Sequence, residues 1–381
     1  MRPATQRPRL TVALVLGGVA VALLLRAALL HGENRDTELF TLWLAYLQDN
    51  GAAELLRHDF VINYTPLYLY HLILANAVLP GDAELLIVKY LPIVFDVVCA
   101  YLAYKLVRLR HTAGRLPLVA FGVVLFAPTV VVNSSYWGQV DSVWTAGLLA
   151  CVYFLITRRE ALAFVAFGLA FALKVQAVFL LPLLVVLALR REVRWRSFLL
   201  IPAVYLASIV PAAIAGRPFW DLATLYKQQA GYFAELTLNA ANLYAWIPDR
   251  HSERLAPAAT FFALALVLGA VLLAARLPVR LDADTIVATA AFSLLLVPFV
   301  LPHMHERYFY AADVLTIVLA FYRPRWAFVA VLVQVVSFLS YWPFLFGHDA
   351  VPLATLAVVE TGALVALGVL LARQLRASLY P

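Results

Sequence analysis

Charge is scarce in this sequence. Asp, Glu, Lys and Arg make up 13% of its 381 residues, where an ordinary soluble domain carries about a quarter. No hydrophilic stretch is long enough to form a soluble domain on either face of a membrane, and nothing could house a cytoplasmic nucleotide-binding module. Cysteine is scarcer still: Cys99 and Cys151 are the only two, and both fall in apolar runs, so no disulfide framework is indicated. Internal repeats and low-complexity tracts are missing. So is the strict apolar/polar alternation, in segments of about ten residues, that a membrane barrel requires. A basic start followed by an apolar run suggests a signal peptide, but no small-residue cleavage site follows, and the run reads as a retained first helix.

What remains is overwhelmingly apolar. Hydrophobic residues make up 64% of the chain and the mean hydropathy is +0.87. Runs such as Leu10–Leu25, Leu85–Leu106 and Pro257–Ala275 are continuous and long enough to span a bilayer as helices. Backbone polar groups cannot go unsatisfied in lipid, so such a chain must be a helical bundle. The expected fold is all-α: a single polytopic membrane domain over residues 1–381, with about twelve transmembrane helices.

The net charge of +7 does not call for nucleic acid. The bases cluster at Arg2/Arg7/Arg9, Lys105/Arg108/Arg110/Arg115, Arg158/Arg159, Arg190/Arg191/Arg194/Arg196, Arg276/Arg280, Arg323/Arg325 and Arg373/Arg376. These clusters hold 19 of the 29 Lys and Arg, with only four acids among them (Glu160, Glu192, Asp282, Asp284). That is the positive-inside pattern, and it orients the chain with these loops and both termini cytoplasmic.

On this topology the first external loop covers 31–83, with interfacial helices at Thr37–Gln48 and Pro66–Leu79, and a second covers 216–256. Spans are expected at 84–107, 116–134, 143–157, 198–214, 257–276, 285–302, 308–322, 326–346 and 352–372, after a first helix near 10–30. Ala161–Leu189 has basic clusters at both ends, so it must leave the cytoplasmic face and return; a short hairpin with Lys174 near its tip satisfies both. Asp96, deep in a span, needs a polar partner, for which Lys174 or Gln176 is the expectation. Asp313 and Glu360, nearer span ends, read as ordinary interfacial acids.

The remaining polar residues converge on the external face. They are Glu33/Arg35/Asp36/Glu38, Tyr64-Thr65-Pro66, Tyr136 through Ser142, Lys174-Val175-Gln176, and His303 through Tyr308. Charged residues at or below the interface are costly and usually functional. Two histidines with one neighbouring acid, Glu306, make an incomplete zinc set.

The ordered motifs, over about residues 30–310, resemble the GT-C glycosyltransferases that use polyprenyl-phosphate-linked sugars. Tyr64-Thr65-Pro66-Leu67, Asp141-Ser142 and the Leu173-Lys174 to Pro182 stretch look like the first mannosyltransferase of GPI-anchor assembly. His303-Met304-His305-Glu306-Arg307 is similar to the His-x-His-Glu-Lys stretch of the dolichyl-phosphate-glucose-dependent glucosyltransferases of N-glycan precursor assembly. Trp137 through Ser142 resembles prokaryotic proteins grouped with the GPI mannosyltransferases. Many GT-C members carry Asp-x-Asp or Glu-x-Asp near the first acid, whereas here the order is Asp36-Thr37-Glu38.

The resemblance implies a hexosyltransferase at the non-cytoplasmic face, with mannose favoured and glucose second, acting by inverting single displacement. It makes Asp36 the first candidate for general base, with Glu38 the second acid of the pair. Lys174, His303, His305 and Arg307 are candidates for the departing phosphate, since Arg offers a planar fork and Lys a point charge. Tyr64, Trp137, Gln139, Asp141, Gln176 and Glu306 are candidates for sugar or acceptor. The partners are a polyprenyl-phosphate donor, membrane lipid, and a glycan, glycolipid or protein acceptor, without nucleic acid. No cofactor is specified, and a divalent cation bridging Asp36 and the phosphate stays open. The membrane would be the inner one in a prokaryote and the endoplasmic reticulum in a eukaryote. The competing readings are a transporter or flippase for a lipid-linked sugar, and a non-enzymatic assembly subunit. A transporter would place its site near the midplane, between repeats.

Overall fold

The computed structural model describes residues 8–58, 64–229, 232–277 and 281–377. Arg2, Arg7 and Arg280 of the basic clusters lie outside them. The chain is a multi-pass helical membrane protein. Seven helices are long and apolar enough to cross a bilayer: Val12–Leu29, Glu84–Arg110, Trp195–Ile214, Asp249–Arg276, Ala283–Val300, Pro324–Phe346 and Leu353–Leu375. An eighth crossing arises if Leu116–Leu125 and Pro128–Trp137, bent by 47° at their junction, count as one.

In chain order the first elements are α1 (Pro8–Leu29), α2 (Arg35–Asn50), α3 (Ala52–Arg57), α4 (Pro66–Val78) and α5 (Glu84–Arg110). Then come α6 (Leu116–Leu125) and α7 (Pro128–Val131), which runs into a π-helical turn, Val132–Trp137. The expected spans over 143–157 and 308–322 appear as short helices, α8 (Asp141–Ile156) and, later, α16 (Tyr310–Tyr322), and the expected hairpin over 161–189 as α9 (Glu160–Leu173) and α10 (Leu181–Leu189). Between α10 and α16 lie α11 (Leu200–Ile214), α12 (Phe219–Ala223), α13 (Leu225–Gln229), α14 (Ser252–Arg276) and α15 (Ala283–Val300). The chain finishes with α17 (Ala327–Ser340), α18 (Trp342–Phe346) and α19 (Leu353–Ala377). Two-residue strands β1 (Thr237–Leu238) and β2 (Met304–His305) pair in parallel, joining the 216–256 loop to the His-containing turn.

The core is central and the flanks are thin. The spanning window of α15 is 83% buried inside the protein, whereas those of α1 and α14 are only 11% buried and turn their leucines and phenylalanines outward. Such all-round apolar helices suit lipid, which satisfies no backbone group but accepts any hydrocarbon.

The basic loops gather at one end. Arg110 and Arg323, from the ends of α5 and α16, reach Asp284 at the start of α15 at 3.8 and 3.0 Å. Arg158 pairs with Glu192 at 2.7 Å, and the Arg194 backbone N–H donates to Glu160 at 2.8 Å. The two ends of the 160–189 unit therefore meet, as a hairpin requires. Leu155, Arg158, Glu192, Leu281 and Ile286 line one small recess there, which ties the loops together.

Three acids depart from expectation. Asp96 pairs with Arg26 of α1 (Nε to Oδ2, 2.7 Å), not with Lys174 or Gln176, and also accepts hydrogen bonds from Ser134 (2.6 Å) and Tyr310 (3.3 Å). Arg26 is just as enclosed, and its Nη2 donates to the Leu125 carbonyl at 2.9 Å. A guanidinium with five donors can satisfy a carboxylate and a kinked helix's free carbonyl at once. Asp313 and Glu360 are fully buried rather than interfacial, because α16, α17 and α19 pack around them; Asp313 accepts from the Ser337 hydroxyl at 2.8 Å.

Candidate active site

At the end of α5 and α8 opposite the basic loops, a buried lysine organises the loops. Lys89, in the second turn of α5, points its ammonium at three backbone carbonyls: Leu30 (2.8 Å), Gly32 (2.5 Å) and Tyr136 (2.9 Å). This draws the start of the 31–83 loop against the π-helical turn. Gly32 is needed for that approach, since a Cβ there would lie 2.6 Å from Tyr136 atoms. Gly138, at φ +83°, turns the chain out of the π-helix, and a Cβ on it would press Thr37 at 3.0 Å and Lys89 at 3.2 Å. Insertions of this kind in a helix recur at functional sites.

Asn34 then starts α2. Its side-chain oxygen accepts from the Asp36 and Thr37 N–H groups at 3.0 and 3.2 Å, and the Thr37 hydroxyl accepts from the Asn34 N–H at 2.8 Å, a reciprocal cap. The Asn34 amide also donates to the Trp137 carbonyl at 3.1 Å. These contacts fix Asp36 opposite the turn. Trp137 Nε1 and Gln139 Nε2 both donate to Asp36 Oδ2, at 2.8 and 2.6 Å. Oδ1 accepts no hydrogen bond among the described residues. Glu38, two residues on, is exposed and joins none of these contacts.

Behind this carboxylate lie two cations around Asp141, the first residue of α8. Lys174 Nζ reaches Asp141 Oδ1 at 2.9 Å and Gln139 Oε1 at 3.2 Å. Lys174 caps α9 in extended conformation, where the hairpin turns into a 3₁₀ segment (Val175–Leu180). Arg307 Nε stands 3.9 Å from Asp141 Oδ2, too far for a hydrogen bond, and is buried without a hydrogen-bond partner among the described residues. Its guanidinium lies over the rings of Trp137 (5.4 Å) and Tyr308 (5.7 Å). Asp141 is further held by Asn133 (2.9 Å) and Trp144 Nε1 (3.0 Å). With both oxygens engaged, Asp141 holds the cations in place, where the sequence suggested it would read sugar hydroxyls. Tyr64 donates to Gln139 Oε1 at 3.1 Å and lies under Lys174, 5.3 Å from ring centre to Nζ.

The electrostatics follow from enclosure. Burial pushes the Glu306 carboxyl up to about 7, with adjacent Arg307 pulling it down. Burial, then the charges of Arg307 and Lys174, push the His305 imidazole well below its usual value, so it is neutral near pH 7. Burial works against the Arg307 charge, but Asp36, Tyr308, Glu306 and Asp141 more than restore it, leaving its pKa raised. His305 stacks edge-on against Phe233 (4.7 Å) and Tyr308 (5.1 Å), and its strand pairs with Leu238.

Asp36, Tyr64, Trp137, Gln139, Asp141, Lys174, Glu306 and Arg307 thus come together, with His305 at the rim. His303 and Gln176 do not enter these contacts. His303 adopts φ +62° and bonds the Glu235 carbonyl at 2.7 Å, and Gln176 is half-buried on the 3₁₀ segment. Three participants escaped sequence reasoning. Lys89 gave a usable signal, an ionisable residue six positions into a span. Asn133 and Trp144 gave no signal beyond their residue types. Among the described residues, no three His, Cys, Asp or Glu side chains are grouped so as to hold a metal ion. Compared with known proteins, the chain matches no protein-family model and no curated protein.

Proposed function

We propose that the chain is an integral membrane glycosyltransferase of GT-C type, moving a hexose from a polyprenyl phosphate to an acceptor hydroxyl at the non-cytoplasmic face. One observation carries the reading: a half-exposed carboxylate with one uncommitted oxygen, Asp36, stands across Gln139 from the buried cations Lys174 and Arg307. That is the charge layout a glycosyl phosphate needs. In the step, Asp36 Oδ1 takes the proton of the acceptor hydroxyl as its oxygen bonds to the anomeric carbon. The bond from that carbon to the phosphate oxygen breaks, and its electron pair leaves on the phosphate. Arg307 Nε–H and the third ammonium hydrogen of Lys174 then meet the added negative charge in a site with little water. A single base and a single displacement invert the anomeric centre. Trp137 is fully buried, stacked on Phe344 at 4.8 Å between ring centres and covered by the Arg307 guanidinium, so its part is to hold Asp36 through Nε1 rather than to face the sugar. In this reading the short helices complete a bundle of about twelve membrane segments. Mannose is the first choice of sugar and glucose the second.

The test is transfer by the purified chain in liposomes, given tritiated polyprenyl-phosphate-mannose or polyprenyl-phosphate-glucose and a lipid extract of its host. Label passing to a new product in the wild type, and not with Asp36→Asn, is the expected result. Label that crosses the bilayer still attached to its donor would make the protein a flippase instead.

A further inference from the structure

A second site stands at the basic end, away from the chemistry. There a recess of about 740 Å³ opens beside the turn that precedes α11, lined by Ala188, Arg191, Arg194, Trp195, Arg196 and Leu200. Its polar lining is three arginines and Ser197; no acid lines it, and Glu160 behind it is taken up by Ser197 and Arg194. The neighbouring arginines show what is unusual. Arg158, Arg110 and Arg323 are each matched to an acid, Glu192 or Asp284, and Arg194 leans on Glu160 at 3.4 Å. Arg191 and Arg196 are exposed and have no acidic partner among the described residues. Arg191 is moreover held at φ +61°. Orienting the chain needs positive charge but not a concave arrangement of it.

The recess also has an apolar exit. Trp195 is 55% exposed and stacks on Phe198 at 5.3 Å, placing an amphipathic ring at the mouth. From there Leu199, just before α11, and Leu206 and Val210 on it, exposed and spaced by seven and four residues, run as one stripe into the apolar zone. A cationic pocket that opens onto a hydrocarbon track has the shape of a phospholipid. We infer that this recess binds the phosphate headgroup of an anionic phospholipid, with Arg191 and Arg196 as its principal contacts and the α11 stripe carrying an acyl chain. Basic pockets between membrane helices on this side are built for such headgroups. The inference is independent of hexosyl transfer.

The experiment uses the full chain in nanodiscs of phosphatidylcholine, titrated with phosphatidylglycerol or with inorganic phosphate, read by native mass spectrometry and thermal unfolding. Phosphatidylglycerol is expected to remain bound and raise the unfolding midpoint. Arg191→Gln/Arg196→Gln, both at exposed positions, should weaken that binding on the order of tenfold. Arg325→Gln, an exposed arginine elsewhere at the same end, should leave it unchanged. Equal retention of phosphatidylcholine, equal loss in Arg325→Gln, or full retention in the double variant would each overturn the site. Inorganic phosphate reproducing the whole shift would overturn its assignment to a lipid.

Discussion

Glu306 and Arg307 are neighbours in sequence, and in the proposed reaction Glu306 competes with the donor phosphate for the Arg307 guanidinium. The Glu306 carboxyl titrates at about 7, so it changes charge within the physiological range. When ionised it faces Arg307 at 3.5 Å and competes with an anionic donor for that guanidinium. Donor kcat/KM should therefore rise as pH is lowered through about 7, and Glu306→Gln should flatten that limb; a pH–rate profile of both proteins decides. The stability linkage has the same sign. The folded state holds this proton more tightly than the unfolded chain, so the contribution is full below the unfolded value of about 4.3 and is lost as pH rises through about 7. At Asp36, replacement by Asn should cut transfer by about 10²–10⁴-fold, the range for a lost general base, with the unfolding midpoint little changed. Glu38→Gln should leave transfer within about twofold, since an exposed surface change rarely exceeds ±0.5 kcal/mol. Residue chemistry was partly legible in the sequence. A rare charge in apolar surroundings marks Lys174, because lipid tolerates few unpaired ions, whereas Asp36 and Arg307 lie in polar turns and stood out through the motifs that resemble GT-C sequences. Which acid faces the site was not legible, because it depends on how the Asn34 cap rotates α2.

Loops, caps and turns carry the geometry at the next scale up. The Lys89 ammonium replaces water for three carbonyls, so Lys89→Met leaves those acceptors buried and unpaired. A cost of about 2–4 kcal/mol is expected from lost charged hydrogen bonds and desolvated carbonyls, read as a lower unfolding midpoint. Gly32→Ala should act on the same junction by pushing Tyr136 away, since the added carbon would sit at 2.6 Å. Both changes should lower transfer more than their stability loss explains, because they separate Asp36 from Trp137 and Gln139. Arg26→Met makes a separate test, since it strands Asp96 in the bundle; breaking one side of a buried pair costs about 3–5 kcal/mol. At this scale the hairpin at 160–189 was legible from basic clusters at both ends. The π-helical turn at Val132–Trp137 was not. Pro128 marks a break before it, but nothing local tells a helix to admit one extra residue; Lys89 and Asp96, far along the chain, make that geometry stable.

Across the whole molecule, the two ends of the bundle differ in kind. Partly exposed arginine–carboxylate pairs tie one end together, and a buried Lys174–Asp141 pair, backbone carbonyls on Lys89, amides and aromatic rings tie the other. Single cysteines placed at Arg158 or Arg325 should react with an impermeant maleimide only from the cytoplasmic side, and at Glu33 or Glu235 only from the opposite side. All four positions are exposed, and uniform labelling from one side would refute the topology. The overall class was legible because composition alone rules out a soluble core. The count of full-length spans was less so. Helices α8, α9, α10 and α16 are short because neighbouring helices enclose them, and burial inside a bundle leaves the same apolar signature as contact with lipid.

The sulfur atoms have a consequence of their own. Cys99 and Cys151 are both fully enclosed, so peroxide and disulfide-forming oxidants find no thiol to attack. Of the two methionines in the chain, Met304 is only partly covered and pairs with Thr237 beside His305. Oxidative damage at a membrane surface would therefore be registered at that strand pair, as a sulfoxide between the 216–256 loop and the His303–Tyr308 turn. Loss of activity would then precede any loss of fold.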